Sequence, residues 1–155
     1  MEATHQYSAN IKWTGNQGSG TNSYRSYSRD HVTAYAEKPV IAMSSDPAFR
    51  GDGKRYNPEE LLVISLASCH MLWYLHLCAD AGVVVNEYSD HATGSMIENK
   101  DGSGQFSEVV LNPKVKVADP SMIAKAVELH EKAHEMCFIA RSCNFPVRHQ
   151  PACSS

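Results

Sequence analysis

The apolar positions of this chain change period several times, and each change marks a new element. Tyr7, Ala9, Ile11 and Trp13 alternate with polar residues, the period of a half-buried strand. Gly15-Asn16-Gln17-Gly18-Ser19-Gly20 reads as a turn. β-Branched and aromatic residues then continue the strands over Tyr24 to Ala36, and Gly51-Asp52-Gly53 closes the section as a loop.

Asn57-Pro58-Glu59-Glu60 is the sharpest local signal. Asn57 suits a helix N-cap, Pro58 the first helical position, and Glu60 can reach back to the cap N–H. Leu61 to Ala81 contains no Gly or Pro and is apolar nearly all round, which predicts a helix buried on every side. Leu61 to Ala79 is also uncharged and long enough for a bilayer. Ser65, Ser68, His70 and His76 would be costly in lipid, however, and a capping box is a feature of water-facing helices, so a membrane span is not expected.

Val83 to Ile97 and Gln105 to Val117 read as strands of a hairpin joined by the long turn Asn99–Gly104. Asp119-Pro120 starts a second helix, predicted to run to about Arg141. Its apolar stripe is Met122, Ile123, Ala126, Leu129, Ala133, Met136, Cys137 and Ala140. Asn144-Phe145-Pro146 stops it, and Val147 to Pro151 makes a last short strand. Strands and helices without strict alternation indicate an α+β fold, read here as a single domain over residues 1–155.

With 155 residues, 43% hydrophobic and 20% charged, the chain can bury a core without staples. A net charge of −3 and the absence of a basic stripe argue against a nucleic-acid partner. Met1 to Asn10 lacks the basic start and apolar run of a secretory leader, so a cytoplasmic location is expected. The five cysteines, Cys69, Cys78, Cys137, Cys143 and Cys153, are an odd set that does not suggest a secreted disulfide framework. By default each is a small buried hydrophobe.

Cys69 lies three turns into the apolar helix, beyond useful reach of the helix dipole. Burial disfavours the thiolate, so a reactive sulfur there needs a cation delivered from elsewhere. Arg50 and Arg55 precede the helix, and Arg25 and Arg29 lie in the strand region.

Asn57-Pro58-Glu59-Glu60-Leu61-Leu62, followed by Ala67-Ser68-Cys69, resembles the signature of the OsmC and organic-hydroperoxide-resistance (Ohr) family. Lys132-Ala133-His134-Glu135-Met136-Cys137, 68 residues after Cys69, resembles the family's second cysteine helix. The resemblance covers nearly the whole chain. It implies an antiparallel sheet wrapped around a long buried central helix, with a second amphipathic helix, in an intertwined homodimer. It implies a thiol-dependent peroxidase in which Cys69 attacks an organic hydroperoxide and Cys137 resolves the sulfenic acid as a disulfide. Glu59 matches the glutamate that orients a catalytic arginine. Arg50 resembles that arginine in OsmC-type members, while Ohr-type members draw theirs from an earlier strand loop, where Arg25 and Arg29 lie. No cofactor or metal is implied; an external dithiol, of lipoyl type in the Ohr branch, would reduce the disulfide. The chain departs from the pattern at Phe138, where Pro is usual, and at His70, where Phe is common. It also adds Cys143, near enough in sequence to compete as resolver.

Ten residues separate Glu59 from Cys69, about 15 Å along a helix axis. Either the helix breaks or Glu59 serves a second chain, so a homodimer with composite sites is expected. Two other readings compete. His130-Glu131-Lys132-Ala133-His134 is a literal HExxH, but no third-ligand extension follows. A non-catalytic redox sensor or small-ligand binder is the second, although a pure binder needs no second thiol.

Overall fold

In the computed structural model, which describes residues 3–155, the chain forms two compact units, one ending at Leu61 and the other spanning Leu62–Ser155. The first holds three antiparallel strands of three residues each: β1 (Ile11–Trp13), β2 (His31–Thr33) and β3 (Ile41–Met43), in the order β1-β2-β3. Val32 is central, opposite Lys12 on one side and Ala42 on the other.

These strands are shorter than the alternation from Tyr7 and the run from Tyr24 predict, because side chains claim the backbone groups a ladder would use. Arg29 donates to the carbonyls of Tyr27 and Tyr24, both at 2.7 Å. Trp13 Nε1 donates to Ser28 O, and the Asn16 side chain accepts from the N–H groups of Gly18 and Gly20. Ile11 and Trp13 are exposed in this chain, so the half-buried face expected of the first strand is not covered here.

Asp46 caps a single 3-10 turn, Pro47–Phe49, which delivers Arg50 in the left-handed region at φ 65°. A Cβ on Gly51 would collide with the Ser45 carbonyl oxygen, so only glycine lets the chain turn back here.

The long helix α1 (Pro58–Asp80) starts as predicted. Glu60 N–H donates to Asn57 Oδ1 at 2.8 Å, and Asn57 N–H donates to a Glu60 carboxylate oxygen at 3.1 Å. Its exit is a glycine C-cap, Gly82 at φ 71°. Expectation and structure part over its burial. Only Leu66, His70, Tyr74 and Cys78 are buried, a single stripe at i, i+4 spacing, while Ile64 and Leu72 are exposed. The sequence specifies two apolar faces, and one chain covers only one.

The second unit has two three-stranded sheets. Strands β4 (Val85–Asp90), β7 (Pro113–Val117) and β9 (Ala152–Ser154) form one, in the order β4-β7-β9. Strands β5 (Thr93–Glu98), β6 (Gly104–Leu111) and β8 (Val147–His149) form the other, in the order β5-β6-β8. The hairpin pairs β4–β7 and β5–β6 are antiparallel, whereas β8 and β9 add in parallel. Each long predicted strand thus divides in two. The division follows from Asn112-Pro113, where proline removes a ladder donor. Asp90 repairs it by accepting from Asn112 N–H at 2.7 Å, and the Asn112 amide donates to His91 O.

The second predicted helix also divides. A 3-10 turn, Pro120–Met122, capped by Asp119, leads into α2 (Ile123–Met136). Cys137 is extended, and α3 (Phe138–Arg141) follows. Two apolar clusters fill the unit. Tyr74, Cys78, Val115, Val117, Ala126, Leu129 and Ala133 form one, and Leu66, Val109, Leu111 and Val147 form the other.

Candidate active site

Cys137 closes one helix and opens the next. Its N–H donates to His134 O at 3.3 Å, and its sulfur accepts from Ala140 N–H at 3.4 Å, as an N-cap oxygen would. This cap bends the chain at a position with no Gly or Pro, which is why the uninterrupted helix to Arg141 expected from the stripe does not form. The bend sets Cys137 near Cys69 on α1, close enough for the Cys69 sulfur to raise its pKa. Both are free thiols; Cys137 is buried and Cys69 partly open. Burial first, then the Cys69 sulfur, pushes the Cys137 thiol up to about 11, against the opposing pull of the Ala140 N–H. Cys137 therefore keeps its proton at neutral pH.

Beside the pair lies an open cavity of about 600 Å³. Ser65, Ser68, Cys69, Leu72, Trp73 and His76 line one wall, and Phe138 and Ile139 the other. Trp73 and Phe138 meet edge to face at 5.6 Å. The lining is mostly apolar, with the Cys69 sulfur as its reactive atom.

Cys143 is engaged elsewhere. Its thiol donates to Ile139 O at 3.3 Å and packs into the Leu66–Val109 cluster; burial alone raises it, with no second sulfur contributing.

The other expected site residues lie in the first unit. Glu59 is half-buried in the first turn of α1 and Arg50 is exposed at its left-handed turn. Among the described residues neither enters an ion pair. Arg29 is sandwiched between the rings of Tyr24 and Tyr27, 4.2 Å from each centroid. Arg55 bridges Asp30 and Asp52. Arg25 is exposed. Of the four arginines before α1, Arg29 and Arg55 are thus already engaged.

A second polar group in the second unit had no sequence-level assignment. His70 Nε2 and His130 Nδ1 are 3.0 Å apart, in rings that are almost parallel and closed to solvent. His130 stacks on Tyr74 at 3.9 Å, and His149 stacks near both histidines. The array takes the HExxH apart: His130 points inward, while Glu131 pairs with His149 at 3.2 Å on the outside. Among the described residues no three His, Cys, Asp or Glu side chains converge as metal ligands. One signal could have revealed the array. His70 occupies the buried stripe of α1, and His130 sits between the buried Leu129 and Ala133, positions an unpartnered imidazole would not tolerate.

Comparison with known proteins places these features in context. No curated protein matches the chain. Among solved structures, an OsmC-like protein of unknown function from Vibrio cholerae is 29% identical, with a TM-score of 0.86, over 96% of this chain and 100% of that one. An OsmC-like protein from Mycoplasma pneumoniae is 13% identical, with a TM-score of 0.74, over 99% of this chain and 100% of the other. An organic hydroperoxide resistance protein from Elizabethkingia anophelis is 16% identical, with a TM-score of 0.71, over 100% of this chain and 99% of the other. The model of the OsmC-like protein family matches residues 51–151, and this chain belongs to that family.

Proposed function

We propose that this protein is a thiol-dependent peroxidase that reduces organic hydroperoxides through Cys69 and resolves the product through Cys137. One observation carries the reading: the free thiol of Cys69 lines an open apolar cavity and raises the pKa of a second free thiol, Cys137, 68 residues further along the chain. A Cys69 thiolate attacks the distal peroxide oxygen, the O–O bond breaks, and an alcohol leaves with a proton. The sulfenic acid condenses with Cys137, releasing water and forming the disulfide. An external dithiol, such as a dihydrolipoyl group, restores both thiols by exchange. The aromatic and aliphatic walls suit the organic tail of the peroxide. The family includes members named as organic hydroperoxide resistance proteins, which accords with this chemistry.

The working unit we propose is a homodimer. α1 is unbroken, so ten residues of helix, about 15 Å, separate Glu59 from Cys69. Glu59 of one protomer therefore serves Cys69 of the other, orienting Arg50 by a bidentate pair. Contact between two α1 helices also covers the apolar face that one chain leaves open. Five free thiols suit a reducing compartment such as the cytoplasm.

The test is turnover of cumene hydroperoxide with dihydrolipoamide or dithiothreitol. Cys69→Ser is expected to abolish it, Cys137→Ser to stop after one oxidation per chain, and Cys143→Ser to leave it intact. If Cys69 reacts with the peroxide no faster than free cysteine, the peroxidase reading is wrong and a ligand-binding role replaces it.

A further inference from the structure

A buried pair of imidazoles joins the two helices that lead to the cysteines. Cys69 directly precedes His70 on α1, and Cys137 follows His130 by seven residues, at the end of α2. His70 Nε2 meets His130 Nδ1 at 3.0 Å, in rings that are 1% and 0% exposed. A gap of that length holds one hydrogen. With both rings charged, two N–H groups would point into it. The far nitrogens, His70 Nδ1 and His130 Nε2, are buried with no acceptor.

Little else holds α2 against α1. Its other buried residues are Ala126, Leu129 and Ala133, and each alanine offers only a methyl group. The helix is jointed at both ends, by the 3-10 turn Pro120–Met122 before it and by extended Cys137 after it. Beyond that joint stand Phe138 and Ile139, which line the apolar cavity opposite α1.

We propose that the His70–His130 contact is an acid-operated catch: when both rings are protonated, α2 parts from α1 and carries Cys137, Phe138 and Ile139 away from Cys69. The proposal deepens the peroxidase reading and rests on it for what is controlled. At neutral pH the catch is closed and the cavity is walled on both sides. In acid the walls separate, and a sulfenic acid formed on Cys69 waits unresolved until the pH recovers.

The surroundings of the pair set the sign. Tyr74 on α1, stacked on His130, stays protonated because burial raises it. His134 on α2 and His149 on β8 add positive charge beside the rings as they titrate. Glu131 pairs with His149 on the outside, and among the described residues neither buried ring has a carboxylate partner. No neighbour therefore offsets a second positive charge. Burial first, then neighbouring histidines, lowers His70 to about 4 and His130 to about 3, against 6.5 for an open ring. Below pH 6.5 the open form takes up protons that the closed form refuses. Each pH unit then favours opening by up to about a hundredfold, tenfold per ring.

Amide hydrogen exchange on the reduced full chain tests the catch. Protection factors in α2, corrected for intrinsic rates, should fall by roughly tenfold or more between pH 6.5 and 5. At pH 5 the α2 amides should exchange with little dependence on added urea, as local opening does. Those of β6 and β7 should keep the steep dependence of global unfolding. His130→Gln should remove most of the acid fall; if that variant does not fold, His70→Gln makes the same test. Protection in α2 that holds to pH 5, a fall with the full urea dependence of the sheets, or an equal fall in the folded variant would overturn the proposal. Turnover of cumene hydroperoxide extends the test to the site. From pH 7.5 to 5 the wild type should lose activity more steeply than the variant, and parallel profiles would overturn the control. No peroxide enters the exchange experiment, so failure of the peroxidase reading stays distinguishable.

Discussion

His70 Nε2 lies 3.0 Å from His130 Nδ1, and the outward nitrogen of each ring, His70 Nδ1 and His130 Nε2, is buried with no partner. One ring must donate and the other accept, so the pair is stable only when at least one imidazole is neutral. Burial first, then the charge of neighbouring histidines, lowers His70 to about 4 and His130 to about 3. In the unfolded chain both titrate near 6.5. As pH falls below about 6.5, the unfolded chain binds protons that the folded chain refuses. Stability is therefore complete above that pH and is lost progressively toward pH 4 and 3. Urea midpoints at pH 7.5, 6, 5 and 4 should fall along this course, and His130→Gln should flatten it. An unchanged midpoint between pH 7.5 and 5 would contradict the assignment.

Cys137 serves both as a helix cap and as a thiol, and the two roles separate by substitution. Serine keeps an acceptor for Ala140 N–H and alanine does not. Cys137→Ala should lose about 1 kcal/mol relative to Cys137→Ser. Both should fail to form the disulfide. Equal urea midpoints for the two variants would show that the sulfur does not cap α3.

Arg50 combines a left-handed backbone with a guanidinium that makes no ion pair among the described residues. Arg50→Gly should raise stability by about 1 kcal/mol, since glycine adopts φ 65° without strain. If Arg50 activates Cys69 in the proposed dimer, the same change should slow oxidation of Cys69 at least tenfold. Arg29→Ala should do the reverse, lowering stability through the loss of its Tyr24 and Tyr27 contacts while leaving the rate near wild type. Stopped-flow oxidation beside urea titration reads both effects.

Ile64 and Leu72 are 45% and 61% exposed on the open face of α1. Sedimentation should give a mass of two chains. Ile64→Glu or Leu72→Glu should shift it toward one chain, and peroxide reactivity should fall in parallel if sites are composite. A wild-type mass of one chain at micromolar concentration would count against composite sites.

Local chemistry was legible in the sequence and long-range juxtaposition was not. The Asn57–Glu60 box forms as read, because both partners lie within one turn. The chain reversal at Asn99–Gly104 appears where its turn residues predict it. The stop at Cys137 was hidden, since no breaker marks it and a sulfur makes the cap. β9 was missed because Pro151 seemed to end the last strand, whereas it only separates β8 from β9. In the first unit, Arg29 and Trp13 hydrogen-bond to carbonyls, which shortens strands that alternation alone would extend. Cys69 and Cys137 were proposed from a motif; the histidine array, drawn from α1, α2 and β8, has none and exists only through packing.

In the proposed peroxidase cycle, the bend at Cys137 would tie the shape of the cavity mouth to the oxidation state of the pair. Phe138 and Ile139 stand in the short turn that this sulfur holds closed, and they form the outer wall. Drawing the sulfur across to Cys69 takes it away from Ala140 and releases that wall. In that cycle the entrance would loosen once a peroxide has been spent, letting the alcohol out and a reductant in, and would tighten again when the thiols return.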